Sequence, residues 1–128
     1  MANNYRQRSS LLPIKPTQIE QARLIVERVS MALEESEKGY CGVNVEIEKD
    51  GVWFYGEEFL EAENVVEIAQ ALLDELKIDE PFTFSWADTC SKMRIDEFGG
   101  GACSIKRGEA PFYVDAFDLA AAPFKAPA

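Results

Sequence analysis

The chain has no histidine among its 128 residues. That removes the commonest general base, metal ligand and near-neutral pH switch together. Within this chain a Ser–His or Cys–His nucleophile is excluded. Cysteine is sparse: Cys41, Cys90 and Cys103 are odd in number, widely spaced and without a CxxC pair. This pattern fits neither a disulfide framework nor a structural zinc site, and reads as reduced thiols of a cytosolic protein. No apolar run approaches the roughly 20 residues that span a bilayer. The opening MANNYRQRSSLLPIKP also lacks an apolar stretch long enough for a signal peptide. The expectation is a cytoplasmic protein with no membrane association, no metal and no cofactor.

Positive charge is also scarce, with 13 Lys and Arg against 23 Asp and Glu, for a net charge of −10. The imbalance is concentrated: residues 34–80 carry a net −12, residues 1–28 a net +3 and residues 81–128 a net −1. An acidic surface of this kind repels nucleic acid and anionic lipid, so direct nucleic-acid binding is not expected. The partner that suits it is a protein with a basic surface. Hydrophobic residues at 47% and charged residues at 28% describe a chain that buries a core. Its length is that of one domain.

Residues 1–16 are polar and punctuated by Pro13 and Pro16, and read as an N-terminal arm. Thr17 with Glu20 fits a capping box, followed by Ile19, Ala22, Val26, Val29 and Leu33 on one stripe. These predict a helix over about 17–37. Val43, Val45 and Ile47 then alternate with Asn44, Glu46 and Glu48, as in a half-buried strand. Asp50-Gly51 signals a tight hairpin turn with positive φ at both positions. That turn sets Ile47 opposite Phe54, Glu48 opposite Trp53 and Glu46 opposite Tyr55. A second helix is predicted over 62–77, ending before Pro81. A second hairpin has Phe82, Phe84 and Trp86 alternating on one strand, a loop over 88–100 and a return strand over 101–107. Phe112, Tyr113, Val114 and Phe117 are expected to pack back on the sheet. The predicted fold is therefore α+β in the order α-β-β-α-β-β, a two-layer sandwich of two helices on a four-stranded, mainly antiparallel sheet. The domain spans 17–118, with a flexible tail over 119–128.

Two regions carry candidate sites. The first is the polar face of the hairpin and its exit, Glu46, Glu48, Trp53, Tyr55, Glu57 and Glu58. Aromatics flanked by acids suit a protein interface, because Trp and Tyr are enriched at binding hot spots. Two other readings stay open: a chain terminus covers the aromatics, or the acids imitate the phosphates of DNA. The second region is the loop holding Cys90, Ser91, Lys92, Arg94, Asp96, Gly99 and Gly100. As an enzyme loop it would use Cys90 as a nucleophile, its thiolate favoured by Lys92 or Arg94. As a ligand loop it would present bare glycine amides to an anion. Its plain reading is a long connection with internal ion pairs and glycines at a tight strand start. The run Gly99-Gly100-Gly101 is followed by no GK[ST] and no helix, which excludes a P-loop.

The stretch FTFSWADTCSKMRIDEFGGGA, residues 82–102, resembles a W-A-x-T-C-S-K-P-R-x-D-x-F-G-G-G-A signature. The signature belongs to a family of small proteins carried by bacteriophages, plasmids and bacterial genomes. Met93 stands where that pattern has proline, which loosens the loop. The resemblance covers about residues 40–107 and implies an accessory role on a mobile element. The expected function is that of a small acidic accessory protein, non-enzymatic, that binds another protein. In its specific form it is a mobile-element inhibitor of a nucleic-acid-binding host protein. The alternative is an enzyme or ligand-binding protein that uses the loop Cys90–Gly101.

Overall fold

Alternating apolar and polar residues build strands with one buried and one open face, and here these strands form two antiparallel ladders that meet on a single strand. The computed structural model describes residues 4–36, 43–56, 62–90 and 99–124. In chain order the elements are β1 (Asn4–Pro13), α1 (Ile19–Ser36), β2 (Asn44–Glu48), β3 (Gly51–Gly56), α2 (Ala62–Glu75), β4 (Phe82–Cys90), β5 (Gly99–Ile105), β6 (Phe112–Asp115) and α3 (Ala116–Ala121). Short 3-10 turns, Pro16–Gln18 and Ala122–Phe124, lead into α1 and follow α3. The strands lie in the order β2-β3-β1-β4-β5-β6, and every neighbouring pair is antiparallel.

This arrangement overturns the expected two-layer sandwich of two helices on a four-stranded sheet. Six strands and three helices are present among the described residues, and the decisive addition is β1. Its second half, Arg8–Pro13, pairs with β3, completing a β2-β3-β1 ladder. Its first half, Asn4–Gln7, pairs with β4 and so ties in the β4-β5-β6 ladder. The segment expected to be an arm is thus the joint between the ladders. Ser10, Leu12 and Ile14 are buried while Leu11 and Pro13 are exposed, the period of a strand. Only two of those inward residues are apolar, and a proline stands between them, so the pattern is too short to read.

The α1 stripe forms as its spacing requires. Ala22, Ile25 and Val26 are buried, with Ile19, Val29 and Leu33 packed against the same core. The start of the helix differs from expectation. Pro16 takes the first position of a 3-10 turn, for which its fixed φ is suited, and Thr17 lies inside that turn instead of capping α1. Helix α2 buries Val65, Ile68, Ala69, Leu72 and Leu73. It ends in a left-handed residue, Lys77, with φ of 56°. The Ile78 amide donates to the Leu73 carbonyl at 2.9 Å, the six-residue closure of a Schellman cap. Arg28 of α1 and Glu75 of α2 join the two helices by a two-point ion pair, Arg28 Nη1 donating to Glu75 Oε1 at 2.9 Å and Nη2 to Oε2. The core lies between these helices and the inward residues of both ladders, Val52, Phe54, Phe82, Phe84, Cys103 and Ile105 among them.

Both hairpins differ in detail from expectation. In the first, the turn sits on Lys49 and Asp50, and Glu48 pairs with Gly51. Glu46 therefore faces Trp53 and Asn44 faces Tyr55, a shift of two residues along the partner strand that leaves every side chain on its expected face. Among the described residues positive φ occurs at Lys77 and Gly108, so no mirror-image turn forms here. In the second hairpin, Asp88 belongs to β4 and Gly99 and Gly100 to β5, with Asp88 facing Gly99 and Ala87 facing Gly100. Beyond it, β6 pairs with β5, but Phe112 and Phe117 remain about 70% exposed instead of packing back (68% and 70%). Helix α3 runs across the boundary drawn after residue 118, starting from Asp115, whose carboxylate accepts the Asp118 amide at 3.1 Å.

Candidate functional site

The outer face of the β2-β3-β1 ladder gathers four of the expected site residues and adds one. Strand alternation puts Val52 and Phe54 in the core, so Trp53 and Tyr55, two residues apart, share the opposite face. Their rings stack with centroids 4.1 Å apart and planes 25° from parallel. Both are half-buried. The Tyr55 hydroxyl donates to Glu46 Oε1 at 3.1 Å. Glu46 lies directly across from Trp53 on one side, and Leu11 of β1 lies across from it on the other. A row of Glu46, Trp53 and Leu11 thus crosses three strands. Glu48 is on the same face, in the next row, opposite Gly51. Glu46, Glu48 and Leu11 are exposed.

Gly51 shapes this surface. A Cβ there would collide with the Leu12 carbonyl and would meet the Leu11 side chain at 3.1 Å. The bare backbone lets β1 come close and leaves Leu11 leaning over the glycine beside Trp53. Leu11 escaped notice because its strand read as an arm. Its only signal was the Leu11-Leu12 pair in a polar segment. Glu57 and Glu58, the remaining two acids of the expected surface, lie outside the described residues.

The second candidate region begins at the end of β4. Ser91, Lys92, Arg94 and Asp96 lie outside the described residues, and Cys90 is placed by its backbone alone, opposite Asn4 at the end of β4. Gly99 and Gly100 are strand residues paired with β4. The reason for glycine is close packing: a Cβ on Gly100 would stand 2.6 Å from the Trp86 carbonyl oxygen, and one on Gly101 would stand 2.5 Å from the Trp86 ring. Cys103 is buried in the core, and burial pushes its thiol pKa up, away from the nucleophilic thiolate.

A groove of about 340 Å³ opens elsewhere, between the end of β1 and the end of α2. Ile14, Leu76 and Ile78 give it an apolar wall, and Lys15, Lys77 and Glu80 bring charges of both signs. Gln18 spans it, donating to the Leu76 carbonyl at 3.1 Å. Among the described residues no group of three or more Cys, Asp or Glu is placed to hold a metal ion. No described helix is long and apolar enough to cross a membrane. No protein-family model matches the chain, and neither a curated protein nor a solved structure shows significant similarity to it.

Proposed function

We propose that the protein acts by binding another protein through the outer face of the β2-β3-β1 ladder. The observation that carries this reading is the stacked Trp53–Tyr55 pair, half-exposed on the sheet face that turns away from both core helices and held by Glu46. Stacking and the hydroxyl bond fix the rings before any partner arrives, so little rotamer entropy remains to be lost on binding. Trp53, Tyr55 and Leu11 supply a flat apolar anchor. Glu46 and Glu48 supply an acidic rim that speeds encounter with a basic surface and disfavours acidic ones. The more specific form is a mobile-element inhibitor that occupies the nucleic-acid-binding surface of a host protein. Its supports are the net charge of −10 and the resemblance of residues 82–102 to proteins of phages and plasmids.

The test is affinity purification of the tagged protein from a bacterial lysate at low and at moderate salt, with bound proteins identified by mass spectrometry. The expected result is a basic or nucleic-acid-binding partner whose retention falls as salt rises. Trp53→Ala should weaken that partner by about 2 kcal/mol or more, the loss typical of a hot-spot residue. The double charge reversal Glu46→Lys, Glu48→Lys should slow association most. A partner bound equally well by both variants would place the interface elsewhere.

A further inference from the structure

The other end of the sheet carries a second surface of different construction. Among the described residues β6 pairs only with β5, so within them its far edge presents unpaired backbone groups. Stable monomers guard such edges with charges, prolines, bulges or a covering element. The edge strand at the opposite end, β2, alternates Asn44, Glu46 and Glu48 on its open face. Strand β6 reads Phe-Tyr-Val-Asp and has no charge before its last residue. Phe112 is 68% exposed and Tyr113 43% exposed.

The two faces of this edge differ. Tyr113 pairs with buried Cys103 and so lies on the helix side, while Phe112 and Val114 lie on the outer side with Ser104 and Ala102. The helix side is bordered by α2. Gln70 Nε2 donates to the Lys106 carbonyl at 3.1 Å, and the Gly108 amide donates to Asp74 Oδ1 at 3.0 Å. These bonds seat one stripe of α2 against the β5–β6 connection. Glu67 and Glu63, one and two turns earlier, continue that stripe toward Tyr113, and both are exposed. Their negative charge, after burial and Cys103, contributes to raising the Tyr113 pKa, which sets them within electrostatic reach of its hydroxyl.

We propose that the β6 edge is a second docking site, which takes an extended strand from a partner whose residues alternate between apolar and basic. Strand addition would satisfy the open backbone groups of β6. On the outer side the incoming apolar residues would cover Phe112 and Val114. On the helix side its Lys or Arg residues would meet Glu63 and Glu67 across Tyr113. Charge complementarity selects this occupant over a second copy of the chain, which would bring Glu63, Glu67 and Asp115 against more acidic residues. The site stands independently of the Trp53 face, and the two lie on strands three positions apart or more in the sheet order.

The test uses the full chain and the peptide Lys-Val-Lys-Val-Lys-Val-Lys, followed by amide chemical shifts. Saturable binding is expected, with shifts concentrated at Phe112–Asp115, Glu63 and Glu67. The Glu63→Lys, Glu67→Lys variant should bind at least tenfold more weakly while melting as the parent does, since both side chains are exposed. A peptide of the same composition with its valines in one block should also bind at least tenfold more weakly. The Glu46→Lys, Glu48→Lys variant should bind like the parent, which separates this site from the one above. Shifts at the Trp53 face instead, equal binding by the Glu63/Glu67 variant or the block peptide, or a dimer sealed through β6 in sedimentation would each overturn the proposal.

Discussion

The carbonyl of Leu12 occupies the space that a Cβ on Gly51 would need. Backbone cannot step aside as a side chain can, so Gly51→Ala should destabilise the protein by about 2 kcal/mol, within the usual range for overpacking. Gly99 provides the control, because a Cβ there meets nothing within 4 Å among the described residues. Gly99→Ala should be neutral or stabilise by up to about 1 kcal/mol through the unfolded chain. Urea titration of both variants checks the contrast, and equal losses would refute it.

Glu75 titrates below the ordinary glutamate range, chiefly because it accepts hydrogen bonds from Arg28. A lowered folded-state pKa contributes stability that is present above the unfolded value, about 4.3, and is lost as pH falls through the folded value. The stability difference between the parent and Glu75→Gln should therefore be constant at neutral and mildly acidic pH and close below about pH 4. Denaturant melts across that window test it. A difference that persists in strong acid would mean that Glu75 acts through packing and not through its charge.

Lys77 holds a left-handed conformation that costs an ordinary residue roughly 1 kcal/mol and glycine little. Lys77→Gly should raise stability by about 0.5–1 kcal/mol, the gain offset in part by glycine's freer unfolded state. Thermal or urea melts would show it. A loss would indicate that the lysine side chain, at the rim of the groove near Gln18, matters more than the backbone.

Cys103 is enclosed and its thiol is held above the usual pKa. It should react with alkylating reagents many times more slowly in the native protein than in urea. Mass-spectrometric mapping of the labelled sites distinguishes the cysteines. Much faster alkylation of Cys90 would support the enzyme reading of the loop that follows it.

Legibility in this chain followed the strength of the local pattern. Helices α1 and α2 each show four or more apolar residues at helical spacing, and both form where the spacing puts them. Strands β2 and β3 were legible from alternation, and so was the sharing of one face by Glu46, Glu48, Trp53 and Tyr55. Their register was not, because Gly51 reads as a turn residue while its smallness serves the approach of β1. Strand β1 itself was hidden. Its residues are mostly polar, and its place is set by partners far along the chain. The missing row-mate of Trp53, Leu11, was hidden with it. The exposure at β6 was illegible for the opposite reason, since Phe112 and Phe117 look like core residues and composition does not say that they stay exposed.

The split pairing of β1 also has a kinetic side. Pro13 must wait for Gly51, and Asn4 must wait for Cys90, before either ladder can close on its shared strand. Contacts so distant in sequence are reached late and slowly, since the entropy of closing each long loop is lost before any pairing repays it. During synthesis the first strand leaves the ribosome long before its neighbours exist. Folding should therefore set in only after β4 has emerged, with α1 and the β2-β3 hairpin as the early, local structure that waits for it.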